Sequence, residues 1–260
     1  MSEMTQAERR VWLIERLLAE RARGGIAVPT DAAVQKRLLR SLFNLRPPRA
    51  ADAEFLRVQD AYLQGEIAAK GITDASTLAP VMPGLYLWQG DITTLRCDAI
   101  VNAANSALLG CFYPCHGCVD NAIHTYAGVE LRLACDRLMR AQGREEATGT
   151  AKCTPAFNLP AKYIIHTVGP VVRGRLTARD RAALADCYRT CLAAAQAAGA
   201  RDVAFCCIST GEFGFPQAAA AEIAVQTVQA YRAETESEIK VIFNVYKDTD
   251  RELYARLFRN

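Results

Sequence analysis

Six short apolar runs recur after residue 84: "LYLWQGDI", "DAIVNAAN", "TGTAKCTPAF", "KYIIHTVGP", "DVAFCCIST" and "IKVIFNVY". They are rich in β-branched and aromatic residues, and helical spacing of apolar residues fills the intervals near 119 to 142, 178 to 199 and 216 to 233. A strand that alternates with a helix is joined to its neighbours by crossovers, so the pattern predicts an α/β domain with helices covering a mostly parallel sheet. Several runs end in Gly, Asn, Ser or Thr just before a helix or loop, where open α/β sheets bind ligands beyond the carboxyl ends of their strands.

The first 80 residues have another texture. Segments 3 to 23 (Trp12, Leu13, Leu17, Leu18) and 50 to 70 (Phe55, Val58, Tyr62) carry apolar residues at helical spacing; "RARGG" ends the first and "RPPR" separates the later ones. The expected organisation is a helical extension over 1–80 and an α/β domain over 81–260. Packing is the default expectation for such amphipathic helices.

Ten cysteines would suggest disulfides in an exported chain, but half of them lie in apolar contexts such as "VAFCCIS" and "LADCYRTCLA", where a reduced thiol packs as a small hydrophobe. The amino terminus is charged throughout and no apolar run approaches the roughly 20 residues needed to cross a bilayer, so a cytoplasmic protein without a membrane partner is expected. A net charge of +3 from dispersed lysines and arginines argues against a nucleic-acid groove. An anionic ligand must therefore be met locally.

Four stretches carry candidate chemistry. In "WQGDIT", Asp91 can accept from an exocyclic amine while Ile92 offers its backbone N–H; a turn-forming Asp explains the same residues. "DAIVNAAN" ends an apolar strand with Asn102 and Asn105, amides that need partners, and Asn105 is the candidate ligand contact; both could instead satisfy loop backbone. "CISTGEFGFP" runs from a strand through Ser209, Thr210, Gly211, Glu212, Phe213, Gly214 and Phe215 to a helix, so its successive amides can cradle a diphosphate, and its two phenylalanines suggest cover for a sugar face. Tyr246, after the last strand, can stack on a base or close the core.

In this order and strand context, "GDIT", "VNAAN", "VDNAIH", "STGEFGFP" and a late aromatic resemble the macrodomain family, which binds ADP-ribose; the resemblance covers about residues 82 to 258. It implies a three-layer sandwich with a mixed, mostly parallel sheet between helices. It also implies that Asp91 meets the adenine amine, Tyr246 the adenine face, the backbone from Ser209 to Phe215 the diphosphate, and Asn105 the distal ribose.

One loop departs from the family pattern. Where most macrodomains carry glycines, this chain reads "LLGCFYPCHGCVDNAIH", which holds two of its three histidines. Cys111, His116 and Cys118 have the spacing C-x4-H-x-C and suit zinc, with Cys115 left out because its side chain should point away from that of His116. Three protein ligands leave a position for water or substrate, whereas a bracing ion or no ion at all are the alternatives. Asp120 is open to a helix cap, a bond to a metal ligand or the orientation of water; His124 and His166 read as buried histidines.

The combination looks like the zinc-dependent branch of macrodomains, which carry a helical amino-terminal extension and remove ADP-ribose from proteins. The resemblance implies a Zn(2+) cofactor, mono-ADP-ribosylated protein as substrate, catalytic roles for Asn105 and Asp120, and a link to a sirtuin-type ADP-ribosyltransferase and lipoyl-carrier proteins. A reader of ADP-ribose without catalysis and an O-acyl-ADP-ribose deacylase are the competing functions.

Overall fold

The computed structural model describes residues 4–21 and 27–259. The ends of the first helical segment, "RARGG" among them, therefore fall partly outside the described residues. Three helices form the extension: α1 (Gln6–Glu20), α2 (Ala32–Leu45) and α3 (Ala53–Lys70). Each starts at an oxygen-bearing cap: Thr5 closes a capping box with Glu8, and Asp31 and Asp52 accept from the Val34 and Phe55 amides. Leu13, Ile14 and Leu17 meet Leu39, Leu42 and Phe43 and then Phe55, Val58 and Leu63 in a core of their own.

The α/β unit follows. Its strands are β1 (Thr73–Asp74), β2 (Pro80–Met82), β3 (Leu85–Gln89), β4 (Leu95–Arg96), β5 (Ala99–Ala104), β6 (Ala151–Pro155), β7 (Tyr163–Val168), β8 (Asp202–Phe205) and β9 (Lys240–Val245). Its helices are α4 (Val119–Ala127), α5 (Val129–Gln142), α6 (Ala178–Ala197), α7 (Gln217–Glu234) and α8 (Asp248–Leu257). All six expected strands are present; β1 and β4 make a separate small parallel pair.

Seven strands build one sheet in the order β2-β3-β9-β8-β5-β7-β6. The five central strands are parallel and the two edge strands antiparallel. The central strands are apolar on both faces, as Ile100, Val101, Ile164, Ile165, Val203 and Val241 show by being fully buried. Helices α6, α7 and α8 cover one side; α4 and α5 pack against β5 and β6, with α3 and the extension beyond them. This is the expected three-layer arrangement with a helical extension.

The expected continuous helix from 119 to 142 is instead two helices. Gly128, with φ of 97°, turns the chain between α4 and α5, and a Cβ there would meet the Gln59 amide nitrogen at 2.7 Å. That close approach is functional for folding: Gln59 of α3 is fully buried and its Oε1 accepts from the Val129 amide at 2.9 Å, capping α5 from the extension. Gln59→Ala strands a buried N–H and should cost about 1–3 kcal/mol. Urea titration of the variant checks this, with the midpoint falling at unchanged slope.

Candidate functional site

The parallel strands β3, β9, β8 and β5 lie side by side, so their carboxyl ends share one edge of the sheet. The four sequence-predicted stretches leave from that edge in spatial order. "GDIT" follows β3, Tyr246 follows β9, the Ser209–Phe215 loop follows β8, and Asn105 with the cysteine loop follows β5.

At the first end, Asp91 caps a 3-10 turn over Ile92–Thr94. Its Oδ1 accepts from the Thr93 amide and hydroxyl at 3.0 and 2.6 Å, and Oδ2 accepts from Lys70 Nζ at 2.8 Å. Burial raises the Asp91 carboxyl, but Lys70 and Thr93 outweigh it and hold it below the usual carboxylate range. Lys70 also sits over the Tyr126 ring, 3.4 Å from its centroid. Asp91 is thus a turn former that keeps its charge, and Ile92 beside it is buried. Tyr246 is 76% exposed, which removes the reading that it closes the core.

In the middle loop the backbone divides. The amides of Thr210, Gly214 and Phe215 donate to Cys207, Gly211 and Ser209 carbonyls, whereas those of Gly211, Glu212 and Phe213 meet no acceptor among the described residues. Helix α7 starts at Pro216 without a side-chain cap, so its first-turn amides are open as well. Ser209 adopts a φ of 64° and its hydroxyl is buried without a partner among the described residues. The Phe215 ring is 2% exposed and belongs to the core, so of the two phenylalanines expected to cover a sugar only Phe213 is half-exposed. The correction has a plain cause: the Phe215 amide turns back to Ser209 and carries the ring under the loop.

At the other end, Asn105 bridges its own loop, donating to the Gly110 carbonyl at 3.2 Å and accepting from the Ala107 amide at 3.1 Å. Gly110 has a φ of 78°, and a Cβ there would sit 2.6 Å from the His124 ring. From Gly110 the chain enters the cysteine loop. One ligand atom each from Cys111, His116 and Cys118 lies within 4.8 Å of the other two. His116 Nδ1 is buried without a hydrogen-bond partner among the described residues, and His116 Nε2 lies 3.5 Å from Glu212, which ties this loop to the middle one. Burial and the neighbouring Cys111 push the Cys118 thiol up to about 12.

Cys115 stands apart. Its φ of 55° turns the side chain to Ser41 Oγ at 3.2 Å and the Arg37 carbonyl at 3.4 Å, both on α2. Asp120 is not the cap of α4; Cys118 is, its Sγ accepting from the Asn121 amide. Asp120 is buried, accepts from Asn102 Nδ2 at 2.8 Å and lies 3.5 Å from His124 Nε2. Burial, only partly offset by Asn102 and Arg132, raises its carboxyl to about 6.

Behind the edge, His124, Cys135 and His166 also converge. His166 already spends both ring nitrogens, on Asn102 at 3.2 Å and Thr154 at 3.0 Å, so it belongs to a buried hydrogen-bond network. Burial pushes His166 down to about 4 and His124, with His166 beside it, well below the usual range, so both rings are neutral. His124 is buried as expected, but neither of its ring nitrogens has a hydrogen-bond partner among the described residues.

Sequence reasoning missed Lys70, Arg40, Asn44 and Asn121. The first three lie on extension helices far away in sequence, and Asn121 sits unremarked inside "VDNAIH".

Comparison with known proteins agrees with the architecture. A sequence model of the family described as Macro domain matches residues 101–224. A protein of Treponema medium named protein-ADP-ribose hydrolase is 54% identical over 259 residues, covering 98% of this chain and 99% of its own length. The Oceanobacillus iheyensis macrodomain with ADP superposes with a TM-score of 0.61 at 35% identity, over 67% of this chain and 90% of its own. The Trypanosoma brucei macrodomain in complex with ADP-ribose does so with a TM-score of 0.64 at 29% identity, over 84% and 94%. Sheet order, edge loops and kinship over nearly the whole length lead to one conclusion: the chain belongs to the macrodomain family.

Proposed function

We propose that the protein is a zinc-dependent hydrolase that removes mono-ADP-ribose from modified protein side chains. The observation that carries this reading is the placing of a sulfur–nitrogen–sulfur ligand set directly after Asn105, at one end of a line of adenine-, diphosphate- and ribose-suited groups. The name of the Treponema medium relative and the ligands of the two solved macrodomains support it.

The residues fit zinc on their own chemistry. Three soft or borderline ligand atoms converge from one loop, a buried imidazole nitrogen lacks any partner, and Cys115 is held elsewhere by α2. Held by Cys111, His116 and Cys118, such an ion would supply a Lewis acid to a ribose oxygen or water, milder than with three imidazoles because two thiolates would cancel its formal charge.

The remaining work falls to the chain. Tyr246 stacks on the adenine and Asp91 accepts from its amine, with the Ile92 amide beside it. Lys70 has to share the Asp91 carboxylate with that amine. The stretch Ser209, Thr210, Gly211, Glu212, Phe213, Gly214 and Phe215 wraps the diphosphate, the open amides of Gly211, Glu212 and Phe213 donating to it. Asn105 holds the distal ribose under the metal loop. Asp120, buried and bonded to Asn102, acts as a positioning residue behind the loop.

With an ester-like linkage to a carboxylate, water adds across the bond between the target side chain and ribose. Free ADP-ribose leaves and the carboxylate is regenerated. A sirtuin-type ADP-ribosyltransferase acting on a lipoyl-carrier protein would supply this substrate, and the cytoplasm would be the compartment.

Removing metal with a chelator, or Cys118→Ala, should slow release of ADP-ribose from a mono-ADP-ribosylated protein by about 100-fold or more, since Lewis-acid assistance is worth several kcal/mol. Calorimetry should still detect ADP-ribose binding. Cleavage at an unchanged rate by the folded, metal-free protein would exclude the zinc mechanism, and binding without any turnover by the metal-loaded protein would leave a reader. Tyr246→Ala should weaken ADP-ribose binding by about 1–3 kcal/mol, the usual worth of a base stacked on an aromatic ring. As the side chain is 76% exposed, thermal stability should stay within about 0.5 kcal/mol of the parent.

A further inference from the structure

The extension does more than pack. Helix α2 sends three polar side chains, Arg40, Ser41 and Asn44, into the cysteine loop and the start of α4. Arg40 donates to Asn121 Oδ1 at 2.8 and 3.2 Å and to the His116 carbonyl at 3.0 Å. Among the described residues its donors go to two neutral acceptors at the base of the loop.

Asn121 is fully buried and distributes that grip. Its Nδ2 donates to the Tyr113 carbonyl at 3.0 Å and the Cys111 carbonyl at 3.4 Å, and its backbone N–H donates to Cys118 Sγ at 3.4 Å. Each candidate ligand is therefore bonded, through backbone or sulfur, to Arg40 or Asn121. A second chain of bonds runs alongside. The Asn121 carbonyl accepts from Thr125 Oγ1 at 2.7 Å, Thr125 Oγ1 accepts from Asn44 Nδ2 at 2.9 Å, and Asn44 Oδ1 accepts from the Cys115 amide at 2.9 Å.

We propose that Arg40, acting through Asn121, is the positioning residue that sets the ligand geometry of Cys111, His116 and Cys118, so that helix α2 is the scaffold of the metal loop. This rests on the zinc reading given above. A loop of eight residues with a glycine before its last cysteine has little rigidity of its own, and preorganisation lowers the entropy that ion binding must overcome. Arg40 Nη2 donates to both Asn121 and the His116 carbonyl while Nε adds a second bond to Asn121, a forked arrangement that a lysine ammonium does not reproduce.

The test uses the full chain with Arg40→Ala, Arg40→Lys and Asn121→Asp, and Arg37→Ala as a control that removes a neighbouring exposed charge. Zinc affinity is read by competition with a chromogenic chelator, and cobalt(II) in place of zinc reports thiolate ligation through its charge-transfer band. The three variants should bind zinc about 10- to 100-fold more weakly, the range for partners that orient metal ligands, and show an altered cobalt band; Arg37→Ala should match the parent. Hydrogen exchange of residues 111–118 in the metal-free chains should be faster in Arg40→Ala than in the parent.

Zinc affinity within twofold of the parent in a folded Arg40→Ala, with unchanged loop exchange, would overturn the proposal. If the parent itself takes up no zinc, the metal reading fails separately. Loop exchange then decides by itself whether Arg40 holds the loop: faster exchange sustains that role and unchanged exchange removes it.

Discussion

The parallel hydrogen-bond register of β3, β9, β8 and β5 is the constraint from which the rest of the molecule follows. Leu85 pairs with Val241, Val241 with Val203, and Val203 with Ala99, so the four strands start side by side and run in one direction. A shift of register in any of them would move one of the edge loops along the cleft relative to its neighbours. Apolar side chains on both faces hold the register by needing helices above and below. The edge that results exposes backbone amides and short polar side chains in a row, which suits an elongated anion with a base at one end and a sugar at the other.

Much of this arrangement was legible in the sequence, because the strands are short, apolar and punctuated. The six main strands, the helical extension and the edge position of "GDIT", "VNAAN" and "STGEFGFP" follow from residue texture alone. The break at Gly128 was not legible: a single glycine within a helical pattern is usually tolerated, and what forbids a side chain here, Gln59 of another helix, lies far away in sequence. Phe215 was misread for a similar reason, since the turn that buries it is closed by a hydrogen bond from its backbone N–H to the Ser209 carbonyl across the loop.

The contacts between extension and cleft were beyond sequence reasoning altogether. Arg40 and Asn121 are 81 positions apart, and Lys70 and Asp91 are 21 apart. Each is an ordinary surface-type residue until the two cores meet. What brings them together is apolar packing of the helical bundle around Val129, aided by Gln59 at the head of α5. Polar specificity at the loop is thus built on an interface whose driving force is hydrophobic.

The order of these partners along the chain has a consequence for synthesis. Helices α1 to α3 leave the ribosome first, and their mutual contacts lie within the segment from residue 6 to residue 70. The cysteine-bearing loop, Cys111 to Cys118, begins 67 positions after Asn44, so the donors and acceptors of α2 are made before it. In a chain built the other way round, three thiols would be made ahead of their support; here the residues that support the loop are synthesised before the thiols.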